Sequence, residues 1–205
     1  MDSQGGILVR MSGAQALRMF RRAAELGDTN GMVLLANSLS RLALKQKPSE
    51  RTRLLLEEAM RWERKALRRG GSTAAFNLAM SLLHLGRAHD AVRRFRKLAE
   101  EGDDSALLEV ARAELLAVGT RRNVVGAMAK FRRVARKGSN ATEFDREAAM
   151  ILLATTSYEG WLVRRNYRAA VKWLRRAAAV GSAAARGMLQ DLGEAVQAGD
   201  GPSRG

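Results

Sequence analysis

The stretch that decides the fold runs from Tyr158 to Gly181, YEGWLVRRNYRAAVKWLRRAAAVG. Within it Ala170, Trp173, Ala177 and Gly181 follow one another at steps of three, four and four. Such steps keep side chains on one face of an α-helix, and the closing Gly suits the left-handed turn that ends it.

The same pattern recurs upstream as Ala16, Met19, Ala23, Gly27; Ala59, Trp62, Ala66, Gly70; Ala91, Arg94, Leu98, Gly102; and Ala127, Lys130, Val134, Gly138. The closing glycines lie 43, 32, 36 and 43 residues apart, the spacing of helical-hairpin repeats. Each interval has room for a second helix. Asp28, Ser72, Asp104 and Ser182 are the predicted caps, followed by a small residue and then an aliphatic one four later: Gly31 and Leu35, Ala74 and Leu78, Ala106 and Val110, Ala185 and Leu189. After Gly138 an insertion delays this phase until Ala149, Leu153 and Ala154. Small residues let paired helices approach, and Trp, Met and Phe are expected to fill the gaps between them. The first recognisable element is the second helix of a hairpin. The last, residues 183–197, is the first helix of one.

Composition agrees with an all-α chain. The 205 residues are 46% hydrophobic with two prolines, and isoleucine occurs only at Ile7 and Ile151, which disfavours a β-rich fold. There is no cysteine, hence no disulfide, thiolate nucleophile or cysteine-held zinc. No apolar run is long enough to span a bilayer and no secretory signal is visible, so a soluble, cytoplasmic protein is expected. The residues from Ser3 to Ala24 carry four arginines and no acid. Read as a transit peptide, they would instead direct the chain to an organelle matrix. The formal charge is +15, and from Leu115 to Gln190 there are 15 Lys or Arg against four acids. The second half is the electropositive end.

With its aromatic, Gly loop, polar residue, Ala, Trp, Ala-Ala and Gly, the Tyr158–Gly181 stretch resembles Sel-one-like repeats, relatives of the tetratricopeptide α-solenoids. The five in-phase copies extend the resemblance over about Gly13 to Gly193. Asn166 stands where the family usually has Asp, and Arg94 and Lys130 replace an expected aromatic. The resemblance implies an all-α, right-handed α-solenoid of about five stacked helical hairpins, an α/α superhelix over residues 13–197. Residues 1–12 would form an N-terminal extension and 198–205 a disordered tail. It further implies a non-enzymatic adaptor or scaffold that binds a partner peptide or protein in a concave groove. The groove positions it carries over are Asn37, Arg41, Met80, His84, Arg112, Thr155, Tyr158 and Glu159. Arg112, Asn37 and Tyr158 stand out among them, because a polar side chain in a groove can orient a bound backbone or carboxylate. A bacterial signalling, secretion or envelope assembly is the expected setting.

Little in the sequence suggests catalysis. His84 and His89, the only histidines, lie five apart across a turn, which is not the spacing of a helical metal pair. The carboxylate pairs are adjacent on helices or at caps. Gly70-Gly71 lacks a P-loop lysine and reads as a turn. Neither a catalytic residue, a metal nor a cofactor is predicted. Trp62, Trp173, Phe20, Phe95 and Phe131 read as core, and Trp161 as a surface anchor.

Basic doublets such as Arg21-Arg22, Arg64-Lys65, Arg132-Arg133 and Arg175-Arg176 recur at one phase of the repeat and predict a ridge on the outer helices. In the second half it comprises Arg132, Arg133, Arg136, Arg164, Arg165, Arg175 and Arg176. The ridge is either a solvated convex face or a field that attracts an acidic protein, nucleic acid or anionic lipid. The expected partner is another protein with an acidic segment. The alternative is electrostatic binding of RNA or DNA through the ridge.

Overall fold

Most of the helices begin where a short polar side chain precedes an apolar stripe. The computed structural model describes residues 12–71, 73–160 and 162–197, with side chains up to residue 193. Among these residues there are ten helices and no strand: α1 (Gly13–Glu25), α2 (Thr29–Leu44), α3 (Glu50–Arg68), α4 (Thr73–His84), α5 (Ala88–Glu100), α6 (Asp104–Leu116), α7 (Val124–Val134), α8 (Glu143–Glu159), α9 (Tyr167–Ala179) and α10 (Ala183–Gln197). Asp28, Asp103, Asn123, Thr142, Asn166 and Ser182 each accept the backbone N–H three residues on, which satisfies a donor the first turn leaves free. Asn166 thus caps α9 as an Asp would. Asp28 and Ser182 act as expected, whereas Ser72 lies outside the described residues. The third expected cap is displaced by one: Asp103 opens α6. Asp104 is instead buried, with Oδ2 accepting from the Asn140 backbone at 3.0 Å and Oδ1 3.0 Å from Arg133.

The stops are the predicted glycines. All five have positive φ, from +82° at Gly70 to +101° at Gly181. At four of them the residue after the glycine donates back into the helix, as from Ser182 to the Ala177 carbonyl at 3.1 Å.

The helices group into two compact units, one ending at Arg87 and one beginning at Ala88. In the first, α1 packs on α2, α2 on α3 and α3 on α4, and α2 also touches α4. Met32, Leu35 and Leu39 of α2 fill its core between Ala24, Ala59, Ala66 and Ala74. Gly31 is needed there, because a Cβ would lie 2.6 Å from the Ala23 Cβ of α1. Arg21 pairs with Glu58 at 2.6 Å, joining α1 to α3, and Arg69 donates to the Gly27 carbonyl at the end of α1.

In the second unit each of α5 to α9 packs on the next helix, and α6 touches α8. Leu108, Phe131, Val134 and Leu153 are fully buried in its core. Burying a side chain such as Phe131 is worth roughly 1.5–3 kcal/mol. The repeats are tied here as in the first unit: Asn140 donates to the Gly102 carbonyl beyond α5, and Arg176 to the Ala135 carbonyl that ends α7. Carbonyls left over at one helix end are thus covered by a side chain of the next repeat.

One sequence expectation is corrected. The bulky position of the repeat stripe is not the core position: Met19 is 58% exposed, Arg94 is exposed, and Trp62 and Trp173 are half-buried. Core packing falls one residue later, on Phe95, Phe131 and Leu174, because a turn of 3.6 residues moves that side chain toward the neighbouring helix. The two tryptophans lie under cations, Lys65 at 4.9 Å and Arg176 at 4.5 Å from their rings. Phe20 is also only half-buried. Trp161 lies outside the described residues, as do the N-terminal extension before Ser12 and the tail from residue 198.

Candidate partner-binding surfaces

An apolar concavity of the second unit lies where α8, α9 and α10 meet. It has a volume of about 440 Å³. Ala154, Leu174 and Leu192 are its buried lining, Met188 is half-buried, and Thr155, Tyr158, Glu159 and Asp191 complete the wall. Helical spacing puts Ala154, Thr155, Tyr158 and Glu159 on one side of α8, and Met188, Asp191 and Leu192 on one side of α10. The Thr155 hydroxyl donates to the Ile151 carbonyl at 3.1 Å, so it is not an orphan donor in the cavity. Tyr158 is braced from the chain that follows: Gly160, at φ +72°, ends α8, and Arg165 comes back 6.0 Å over the Tyr158 ring. Tyr167 approaches the same ring with centroids 6.5 Å apart.

The predicted groove residues divide between the units. Asn37, Arg41 and His84 are exposed and Met80 half-buried on α2 and α4 of the first unit. In the second, Thr155, Tyr158 and Glu159 come together around the cavity. Arg112 does not join them. It is half-buried on α6 and held by Glu109 at 2.9 Å. Burial raises the Glu109 carboxyl above its ordinary value, Arg112 pulls it back, and Asp145 pushes it up. Sequence reasoning missed Met188, Asp191 and Leu192. Their i, i+3, i+4 spacing on α10 was visible but had no groove position assigned to it.

The ridge residues separate by environment. Arg132, Arg136 and Arg175 are exposed on or just beyond the outer helices, whereas Arg133 is paired with Asp104. Arg164 and Arg165 lie in the α8–α9 loop, not on a helix. Arg176 is stacked on Trp173. A further cavity, about 450 Å³, runs along α9 and is lined by Tyr167, Arg168, Val171, Lys172, Arg175 and Arg176. Arg168 and Lys172 were missed because they fall outside the recurring doublets.

Among the described residues no three His, Asp or Glu gather as metal ligands, and no helix is long and apolar enough to cross a membrane.

Within each unit, helices that pack on their neighbours in sequence and stop at left-handed glycines define a helical-repeat protein. Residues 4–28 and 147–182 match the Sel1 repeat model. Among solved structures it is similar to a protective antigen present in uropathogenic Escherichia coli strains displaying an SLR fold, with 25% identity and a TM-score of 0.59 over 84% of this chain and 35% of that one. A Sel1 repeat protein from Oxalobacter formigenes shares the fold at 22% identity, with a TM-score of 0.55 over 80% of this chain and 61% of that one. The chain therefore spans less than two thirds of either structure. No curated protein matches it. Sel1-repeat proteins are generally non-enzymatic protein-interaction scaffolds.

Proposed function

We propose that the chain is a protein-protein adaptor that receives a partner segment in the α8–α10 cavity. The observation that carries this reading is the cavity itself: an apolar lining of Ala154, Leu174, Met188 and Leu192 beside Thr155, Tyr158, Glu159 and Asp191. Such a site gains affinity by desolvating one apolar anchor of the partner and orientation from a few polar groups at its edge. Glu159 and Asp191 favour a segment in which the anchor is followed by a basic residue.

The test is selection from a random peptide library on the intact chain, followed by affinity measurement with Tyr158→Ala. Enrichment of peptides pairing an apolar with a basic residue, weakened about tenfold by the substitution at unchanged helix content, supports the proposal. Peptides bound equally well by Tyr158→Ala contradict it.

A further inference from the structure

We propose that the outer face of α9 is a second docking strip, fitted to an extended segment of a partner protein that carries an acid at every second residue. The strip is the cavity of about 450 Å³ along α9. Arg168, Lys172, Arg175 and Arg176 on it are all exposed, and among the described residues none of the four forms an ion pair. The corresponding face of α3 is different. Its cavity is lined by Glu58, Arg61, Trp62 and Lys65, so that face includes a carboxylate of the chain itself, the one that pairs with Arg21. On α9 a partner has to supply it.

Spacing selects the form of that partner. Arg168, Lys172 and Arg176 recur every four residues, a rise of about 6 Å per step along the helix. An extended chain presents same-side side chains every second residue, about 6.6 Å apart. Three acids in alternation can therefore meet the three cations in register. A helical partner fits less well, because helices pack at roughly 8–10 Å through short side chains, and long Arg and Lys side chains hold a second helix away. Arg176 is already placed by its stack on Trp173 and its bond to the Ala135 carbonyl, which lowers the ordering cost of using it. Nucleic acid is disfavoured by the same stacking. Single strands are held by bases on open aromatic faces, and here Trp173 and Tyr158 each already carry a guanidinium.

The test uses the full chain and fluorescein-labelled peptides at about 150 mM salt, where long-range attraction is screened. One peptide alternates Glu and Ser; the other has the same composition with all Glu contiguous. The alternating peptide is expected to bind about fivefold tighter or more. Arg168→Gln with Lys172→Gln should abolish that preference, and Arg121→Gln with Arg122→Gln should leave it intact. If the double α9 variant loses helix content by circular dichroism, Lys172→Gln alone is read in its place. Equal affinity for the two peptides would show that only net charge matters and would overturn the proposal. So would tighter, competing binding of a helix-forming peptide with Glu at every fourth residue, or of a charge-matched single-stranded RNA.

Discussion

Glu63 of α3 accepts a hydrogen bond from the Ser81 hydroxyl of α4 at 3.0 Å, in the repeat position that Phe95, Phe131 and Leu174 fill elsewhere. The side chain is 1% exposed, and its Oε2 has no hydrogen-bond partner among the described residues. Ser81 also lies 3.5 Å from the Ser40 hydroxyl of α2, so a small polar cluster replaces an aromatic plug in the first unit. A buried carboxylate with one free oxygen is costly as an anion.

This cost makes stability depend on pH. Burial raises Glu63 from an ordinary 4.5 to about 7, against Ser81 and Arg64, which pull it down. Below pH 4.5 both folded and unfolded chains hold the proton, and its contribution to stability is complete. Between there and about pH 7 only the folded chain keeps it, so stability falls as pH rises, by of order 3 kcal/mol in all. Urea denaturation of Glu63→Gln should match the parent near pH 4.5 and exceed it near pH 8. A parent whose stability gains from this residue as pH rises would contradict the assignment.

Ala117, which ends α6, holds a left-handed φ of 58°, a conformation that costs a non-glycine residue roughly 1 kcal/mol. Ala117→Gly should therefore raise the thermal midpoint. Two residues on, Gly119 has φ +67° and no space, since a Cβ would come within 2.4 Å of the Ala88 carbonyl group. Gly119→Ala should lower the midpoint by several degrees, the scale of a change of 1–3 kcal/mol.

Lys130 occupies a repeat position where an aromatic was expected, and the structure supplies its reason. Its Nζ bonds Glu114 at 2.8 Å, and Arg96 of α5 lies 3.8 Å from the other oxygen of the same carboxylate. Glu114 of α6 is 7% exposed and so links both flanking helices. Glu114→Ala should destabilise by about 2–4 kcal/mol in chemical denaturation. Lys130→Ala should cost less, because removing it leaves Arg96 beside the carboxylate.

Much of this fold was legible in one sequence. Steps of three, four and four marked α1, α3, α5, α7 and α9, and the closing glycines marked their ends, because helical period and left-handed stops are local properties. The residue that reaches the core was less legible. Trp62 and Trp173 looked like core by size, yet Phe131 and Leu174 are buried instead, and that is decided by the neighbouring helix. Glu63 shows the same limit, since nothing local tells a buried carboxylate from a solvated one. For the candidate site, Thr155, Tyr158 and Glu159 were marked by the family pattern. Asp191 and Met188 join them only through packing between α8 and α10.

The partner cavity is the central claim, and site-directed photo-crosslinking from position 188, on its wall, tests it most directly. A benzophenone amino acid replacing Met188, in chain incubated with lysate of the host cell, should yield one main protein adduct. The adduct should map to a short segment with an apolar residue beside a basic one, and an excess of a synthetic peptide of that segment should prevent it. Adducts spread over unrelated proteins, or a protein adduct unaffected by that peptide, would contradict the account.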